Sequence, residues 1–250
     1  MIAFGFWDYA LLVLVSGQAT LLAYIRHPKW KALITALPVP FTLAALAVGK
    51  PVNTSNIAAL NVLLAYALLV WGLHGGLKIP IIPAIAVSAV GYCAAGLGLK
   101  SVLPDTEAAF WIACGLTLAI AAAIHRLLPR TTRPDPHKHL PPWLKFPLVA
   151  AVIFALILLK SALQGFMTLF PMVGVFAAYE GRRRLDAFCR AFDAFAFAMV
   201  PFLGIVRLLQ PRLGFGLALS AGWLIYLPIL WLQIRDFRPA GPPASPRTAD

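Results

Sequence analysis

Asp186, Arg190 and Asp193 stand at spacings of four and three in the otherwise apolar run LDAFCRAFDAFAFAMV. On a helix these positions share one face, where the guanidinium reaches a carboxylate on either side. At 1.5 Å per residue Asp193 lies about 10 Å beyond Asp186, deep enough to enter the layer of alanines and phenylalanines around it. A carboxylate there has two readings. It carries a proton or coupling ion beside a solute path, or it fixes its helix at an interface through an ion pair with Arg190. Glu180 and the triplet Arg182, Arg183 and Arg184 come just before, and that Arg cluster would draw anions to its side.

A second set repeats twice. Lys50 and Lys160 each close an apolar run and are followed by polar turns, Asn53, Thr54, Ser55 and Asn56 in one case and Ser161 and Gln164 in the other. Either the lysine stems lie in lipid with their ammonium groups at the headgroups, or the two cations flank an entry to the interior. Gln18, Thr20 and Asn61 hydrogen-bond between helices or touch a ligand. Pro171, flanked by Gly165 and Gly174, removes one backbone hydrogen bond and is expected to bend its helix; Pro38, Pro40, Pro80, Pro83, Pro201 and Pro228 are expected to do the same elsewhere. Taken together, the candidate substrate or coupling-ion path is Lys50, Asn61, Lys160, Gln164, Pro171, Glu180, Arg190 and Asp193.

Other chemistry lacks its residues. There is no Ser/His/Asp constellation, no HExxH, no phosphate-cradling Gly loop and no paired catalytic carboxylates, so no enzymatic activity is expected. His27, His74, His125, His137 and His139 all fall at or beyond segment ends, which argues against bis-imidazole haem. Cys93, Cys114 and Cys189 lie unpaired in apolar runs and read as small packing residues, without a disulfide framework or metal. No cofactor is expected.

The elements that must hold these groups are set by composition. The chain is 61% hydrophobic and 12% charged, with a mean hydropathy of +0.83, beyond what a soluble fold can hide. Its net charge of +12 sits at the ends of apolar runs, which points to lipid headgroups, anionic ones included, and not to nucleic acid. A hydrocarbon layer needs about 20 helical residues. Nine segments meet that need, near 4–25, 31–49, 56–74, 79–99, 108–128, 146–161, 163–180, 187–208 and 213–234, with a tight turn expected at Leu159 to Leu163. With all nine crossing, 16 Lys and Arg fall on one side and 5 on the other, which puts the N-terminus outside and the C-terminus in the cytoplasm. The run MIAFGFWDY lacks the basic start of a cleavable signal and reads as a retained first helix. Trp7, Trp30, Trp71, Trp111, Trp143 and Trp231 sit near segment ends, the depth indole favours. Small residues four apart, Ala84 with Ser88, Gly91 with Ala95 and Ala119 with Ala123, are expected to let helices approach closely.

The expected fold is therefore an all-α, polytopic bundle of nine transmembrane helices. It reads as one additional helix, 1–25, then two four-helix repeats in parallel orientation, 26–128 and 143–237. A Pro-rich cytoplasmic linker, 129–142, separates them, and a disordered tail, 238–250, follows. The repeat rests on Pro-Lys-Trp-Lys, apolar helix, Lys50 and polar turn before the linker, and Pro-Trp-Leu-Lys, apolar helix, Lys160 and polar turn after it.

Over about 145–238 the chain resembles the GlpM family of bacterial inner-membrane proteins. The likeness is carried by Lys145, Lys160-Ser161, Gly165, Leu169-Phe170-Pro171, Ala178-Tyr179, Gly181 and Pro201. The resemblance implies a bacterial inner-membrane location, a family unit the size of one repeat, and a link to exopolysaccharide (alginate) production. Glu180 and Arg182 to Arg184 depart from that family's plainer loop. Two functions follow as expectations: a permease or export component for a small, anionic solute, and a non-transporting subunit that organises an envelope or exopolysaccharide assembly. A homo-oligomer or a membrane complex is the partner expected besides lipid.

Overall fold

The computed structural model describes residues 4–25, 34–128 and 141–235, and among them every regular element is helical. The linker expected at 129–142, all but its last two residues, and the tail expected at 238–250 lie outside the described residues. Local chemistry sets most boundaries. In α1 (Phe6–Tyr24) Asp8 accepts the Gly5 N–H at 2.8 Å, an acid placed at the positive end of the helix dipole. α2 (Val39–Val48) starts after Pro38 and stops at Gly49, whose φ of 65° suits a residue without Cβ. α3 (Thr54–Trp71) is capped by Asn53, which accepts from Ser55 N–H at 3.1 Å while Asn56 accepts from Asn53 N–H at 2.9 Å. It runs on through a π turn, Gly72–Gly76. α4 (Ile81–Val102) follows Pro80, and α5 (Glu107–Leu127) is capped by Thr106 through Ala109 N–H at 3.2 Å.

The second half holds α6 (Pro142–Leu158), two single helical turns (Lys160–Leu163 and Gly165–Thr168), α7 (Gly174–Glu180), α8 (Leu185–Leu213) and α9 (Phe215–Arg235). α8 has 29 residues, about 44 Å of helix, so it exceeds an apolar layer of about 30 Å. Among the described residues five helices are long and apolar enough to cross a membrane: α3 with its π turn, α4, α5, α8 and α9. They turn large apolar side chains outward, among them Val90, Ile112, Leu217 and Leu224, a surface that suits lipid. Trp7, Trp71, Trp111, Trp143 and Trp231 are part-exposed or exposed near helix ends, as expected; Trp30 lies outside the described residues.

α3 is the hub, packed against α4, α5 and α8, while α9 lies along α8 and α1 lies against α2 and α6. The single turns after α6 fit among α2, α3 and α4. Under the expected duplication α4 and α5 would correspond to α8 and α9; the second pair packs along its length, whereas the first hardly touches.

Three expectations are corrected here. The segment expected as a continuous helix over 163–180 is broken, at Gln164, which takes φ 47° and ψ −121°, and again between Thr168 and Gly174. Pro171 interrupts it instead of bending it, because it offers no N–H and its ring displaces the preceding turn; the turn expected at Leu159 to Leu163 is a helical turn that ends in the Gln164 kink. Pro38 falls where the helical run 34–48 is interrupted, between residues 34–36 and α2, and Pro40 lies in the first turn of α2; Pro80 and Pro83 lie at the start of α4 and bend no helix interior, and Pro201 and Pro228 lie inside α8 and α9. Of the small-residue pairs, Ala84 and Ser88 are fully buried. Ala119 and Ala123 are exposed, and Gly91 faces open space, so these two pairs bring no helices together.

Candidate functional site

The eight candidate residues do not form one site. Three gather at one end of the bundle and three at the other, as two ion pairs on α6 show. Lys145, in its first turn, meets Glu180 at 2.8 Å with both side chains nearly buried. Lys160, just past its end, meets Asp8 at 2.6 Å. Residues 160–180 thus return over the height of α6 as separate short helices.

At the Lys145 end the central group is Asp193, wholly buried about 12 Å into α8. Its Oδ2 lies 2.9 Å from Nδ1 of His125, whose side chain is 50% exposed, near the end of α5. Among the described residues its Oδ1 has no hydrogen-bond partner. Arg190 donates to the backbone carbonyl of Leu128, closing the end of α5. The hydrogen bond to Asp193 thus comes across from α5, while Arg190 lies close enough on the same helix to act on Asp193 as a charge. Spacing within a helix displays only intrahelical neighbours, so His125 was missed. Its one signal in the sequence is a titratable ring at the end of an apolar run. Glu180 is held by Lys145, which makes it a tie between α7 and α6.

At the Asp8 end the break after α6 assembles a different group. Gly165 presses onto the start of α3, where an added Cβ would lie 2.9 Å from Ser55 Cβ and 3.2 Å from Asn56 N. Asn56 donates to Thr168 Oγ1 at 3.0 Å, Thr168 donates to Gly165 O at 2.6 Å, and the Tyr92 hydroxyl donates to Phe166 O at 2.8 Å. These side chains satisfy backbone carbonyls freed where the helix is interrupted, as apolar surroundings demand. Gln164 completes its own hydrogen bonding only with Oε1 turned to Lys50 Nζ at 3.1 Å and Lys100 Nζ at 3.2 Å. Lys100 also donates to Ser161 O at 3.3 Å and Ala162 O at 3.0 Å.

Beside this group, Gln210 grips both backbone groups of Val52 at 2.9 Å each, and Arg207 donates to Val52 O at 2.9 Å. An open depression of about 470 Å³ lined by Pro51, Glu107, Arg207, Gln210, Pro211 and Phe215 adjoins it. Nothing in the sequence near Arg207 announced this clamp. Of the remaining candidates, Asn61 lies about two turns into α3 with Oδ1 buried and unpartnered, and Pro171 is buried at the break.

Comparison of the chain with family models, curated proteins and solved structures returns no match.

Proposed function

We propose that this chain crosses a bacterial inner membrane nine times, N-terminus outside and C-terminus in the cytoplasm, and acts as a permease or export component for a small anionic solute. Asp193 is its proton-carrying group. The observation that supports this reading is the bare Oδ1 of a wholly buried carboxylate. Leaving a buried polar atom unpaired costs about 1–3 kcal/mol; Asp8 Oδ1 is bare in the same way, and what sets Asp193 apart is that its other oxygen meets a half-exposed imidazole. The bare oxygen is where a proton would sit, and His125, half exposed and in contact with the other oxygen, links it to water at the cytoplasmic end. Arg182, Arg183 and Arg184 stand beside that mouth and would concentrate anions there.

A different observation favours the non-transporting subunit. The interior beside α9 is filled by Phe41, Phe202 and Tyr226, whose rings meet edge to face at 5.5 Å and 5.9 Å, as in a bundle packed for rigidity. The test is proton flux. Protein reconstituted in vesicles holding a pH-sensitive dye is offered phosphate, glycerol phosphate, acetate and lactate under a pH gradient. At least one anion is expected to carry protons with it, and Asp193→Asn to stop that flux while His125→Gln slows it. Flux equal to that of protein-free vesicles for every anion would leave the non-transporting subunit as the reading.

A further inference from the structure

Among the described residues the Asp8 end of the bundle holds the cations Lys50, Lys100, Lys160 and Arg207 and the acids Asp8, Asp105 and Glu107. Lys160 takes Asp8, and Arg207 takes Glu107 at 2.8 Å and Asp105 at 3.6 Å. Among the described residues neither Lys50 nor Lys100 meets a carboxylate. Instead of separating, as like charges do in water, their ammonium groups converge on one neutral oxygen of Gln164. They are no further apart than two hydrogen-bond lengths.

We propose that Lys50, Lys100 and Gln164 form a binding site for a phosphate group. The division of labour follows from the donors. An ammonium has three. Lys100 directs its own to Ser161, Ala162 and Gln164, so it is a fixed charge that neutral carbonyls orient without neutralising. Lys50 is exposed and gives one donor to Gln164, which leaves two for a ligand arriving from solvent or from the headgroup layer. Two positive charges side by side match a phosphate better than a carboxylate, because a phosphate presents several acceptor oxygens and up to two negative charges.

The backbone holds this arrangement under strain. Gln164 has a positive φ of 47° that side-chain-bearing residues rarely adopt. Its N–H is tied to Lys160 O at 2.9 Å, and the next residue, Gly165, is pressed against Ser55. Strain that the surroundings enforce gathers where a binding group must be aimed. The aimed group here is the amide that draws the two lysines together.

The phosphate could belong to a lipid headgroup or to a free phosphate ester, and the experiment separates them. Full-length protein in a neutral detergent is titrated with inorganic phosphate and glycerol phosphate by calorimetry, and with phosphatidylglycerol against phosphatidylcholine by native mass spectrometry. Lys50→Gln/Lys100→Gln is expected to weaken at least one of these interactions about tenfold. Loss in the calorimetric arm assigns a soluble phosphate, and loss confined to the lipid arm assigns a headgroup. Lys78→Gln/Arg126→Gln removes the same charge from the opposite end and is expected to change neither. Should the double variant not fold, Lys50→Gln alone, at an exposed side chain, carries the test. Unchanged binding in both arms overturns the site, and so does an equal loss in the charge-matched control.

Discussion

Removing Glu180 from the Lys145–Glu180 pair should damage this protein more than any other ion-pair change made here. The two side chains are 3% and 8% exposed and meet at 2.8 Å. With an effective dielectric constant of 20, charges at that distance attract by about 6 kcal/mol, which is offset by the cost of taking both out of water. Removing Glu180 takes from the nearly buried Lys145 ammonium the carboxylate it meets, and breaking a buried pair in this way costs about 3–5 kcal/mol. For a chain of this size that lowers the midpoint of thermal unfolding by about 10 °C. Replacing both with apolar residues of similar length removes the unmatched charge, so Lys145→Met/Glu180→Leu should recover most of what Glu180→Leu alone loses.

The assay is thermal unfolding in detergent, followed by fluorescence-detected size exclusion, for both singles and the double. Glu107→Gln is the internal comparison. Its partner Arg207 is 15% exposed, but Glu107 is 65% exposed, and such a pair contributes about 1 kcal/mol or less. Two results would refute the reasoning: a loss from Glu180→Leu no larger than from Glu107→Gln, or a double variant as unstable as the sum of its singles.

Two further changes test the break and the orientation. Gly165→Val places carbon against Ser55 and Asn56, where a Cβ alone comes within 2.9 Å; it should cost about 1–3 kcal/mol, read as a lower unfolding midpoint, with Gly165→Ala milder than Val. Arg183→Cys, with Cys93, Cys114 and Cys189 changed to Ala, should react with an impermeant maleimide only after cells are opened. Labelling in intact cells would reverse the proposed topology.

The all-helical class was legible because apolar runs of about 20 residues can only be helices in lipid; the exact helix ends are local chemistry that the apolar runs alone did not show. Asn53, Pro80, Thr106 and Gly49 mark their boundaries through their own backbone or the next few residues, and a sequence displays those neighbours directly. The break at Gln164 is of another kind. Nothing local demands a positive φ of a glutamine; it follows from Gly165 meeting Ser55, a residue 110 positions away, and Pro171 read alone as a bend because only packing shows whether a helix resumes its axis.

The candidate site divides along the same line. Arg190 and Asp193 were matched because three residues make them neighbours on a helix, while His125 reaches Asp193 across 68 positions and Asp8 reaches Lys160 across 152. What the sequence did contain was the alternation of sides. Counting Lys and Arg by side put Lys50, Lys100 and Lys160 on one face; that Asp8, Asp105 and Glu107 share it is seen only in the structure. With Asp8 taken by Lys160 and both other acids by Arg207, the remaining two lysines meet the neutral oxygen of Gln164. The order in which acids are claimed is a property of packing, and that order left Lys50 and Lys100 on a single amide.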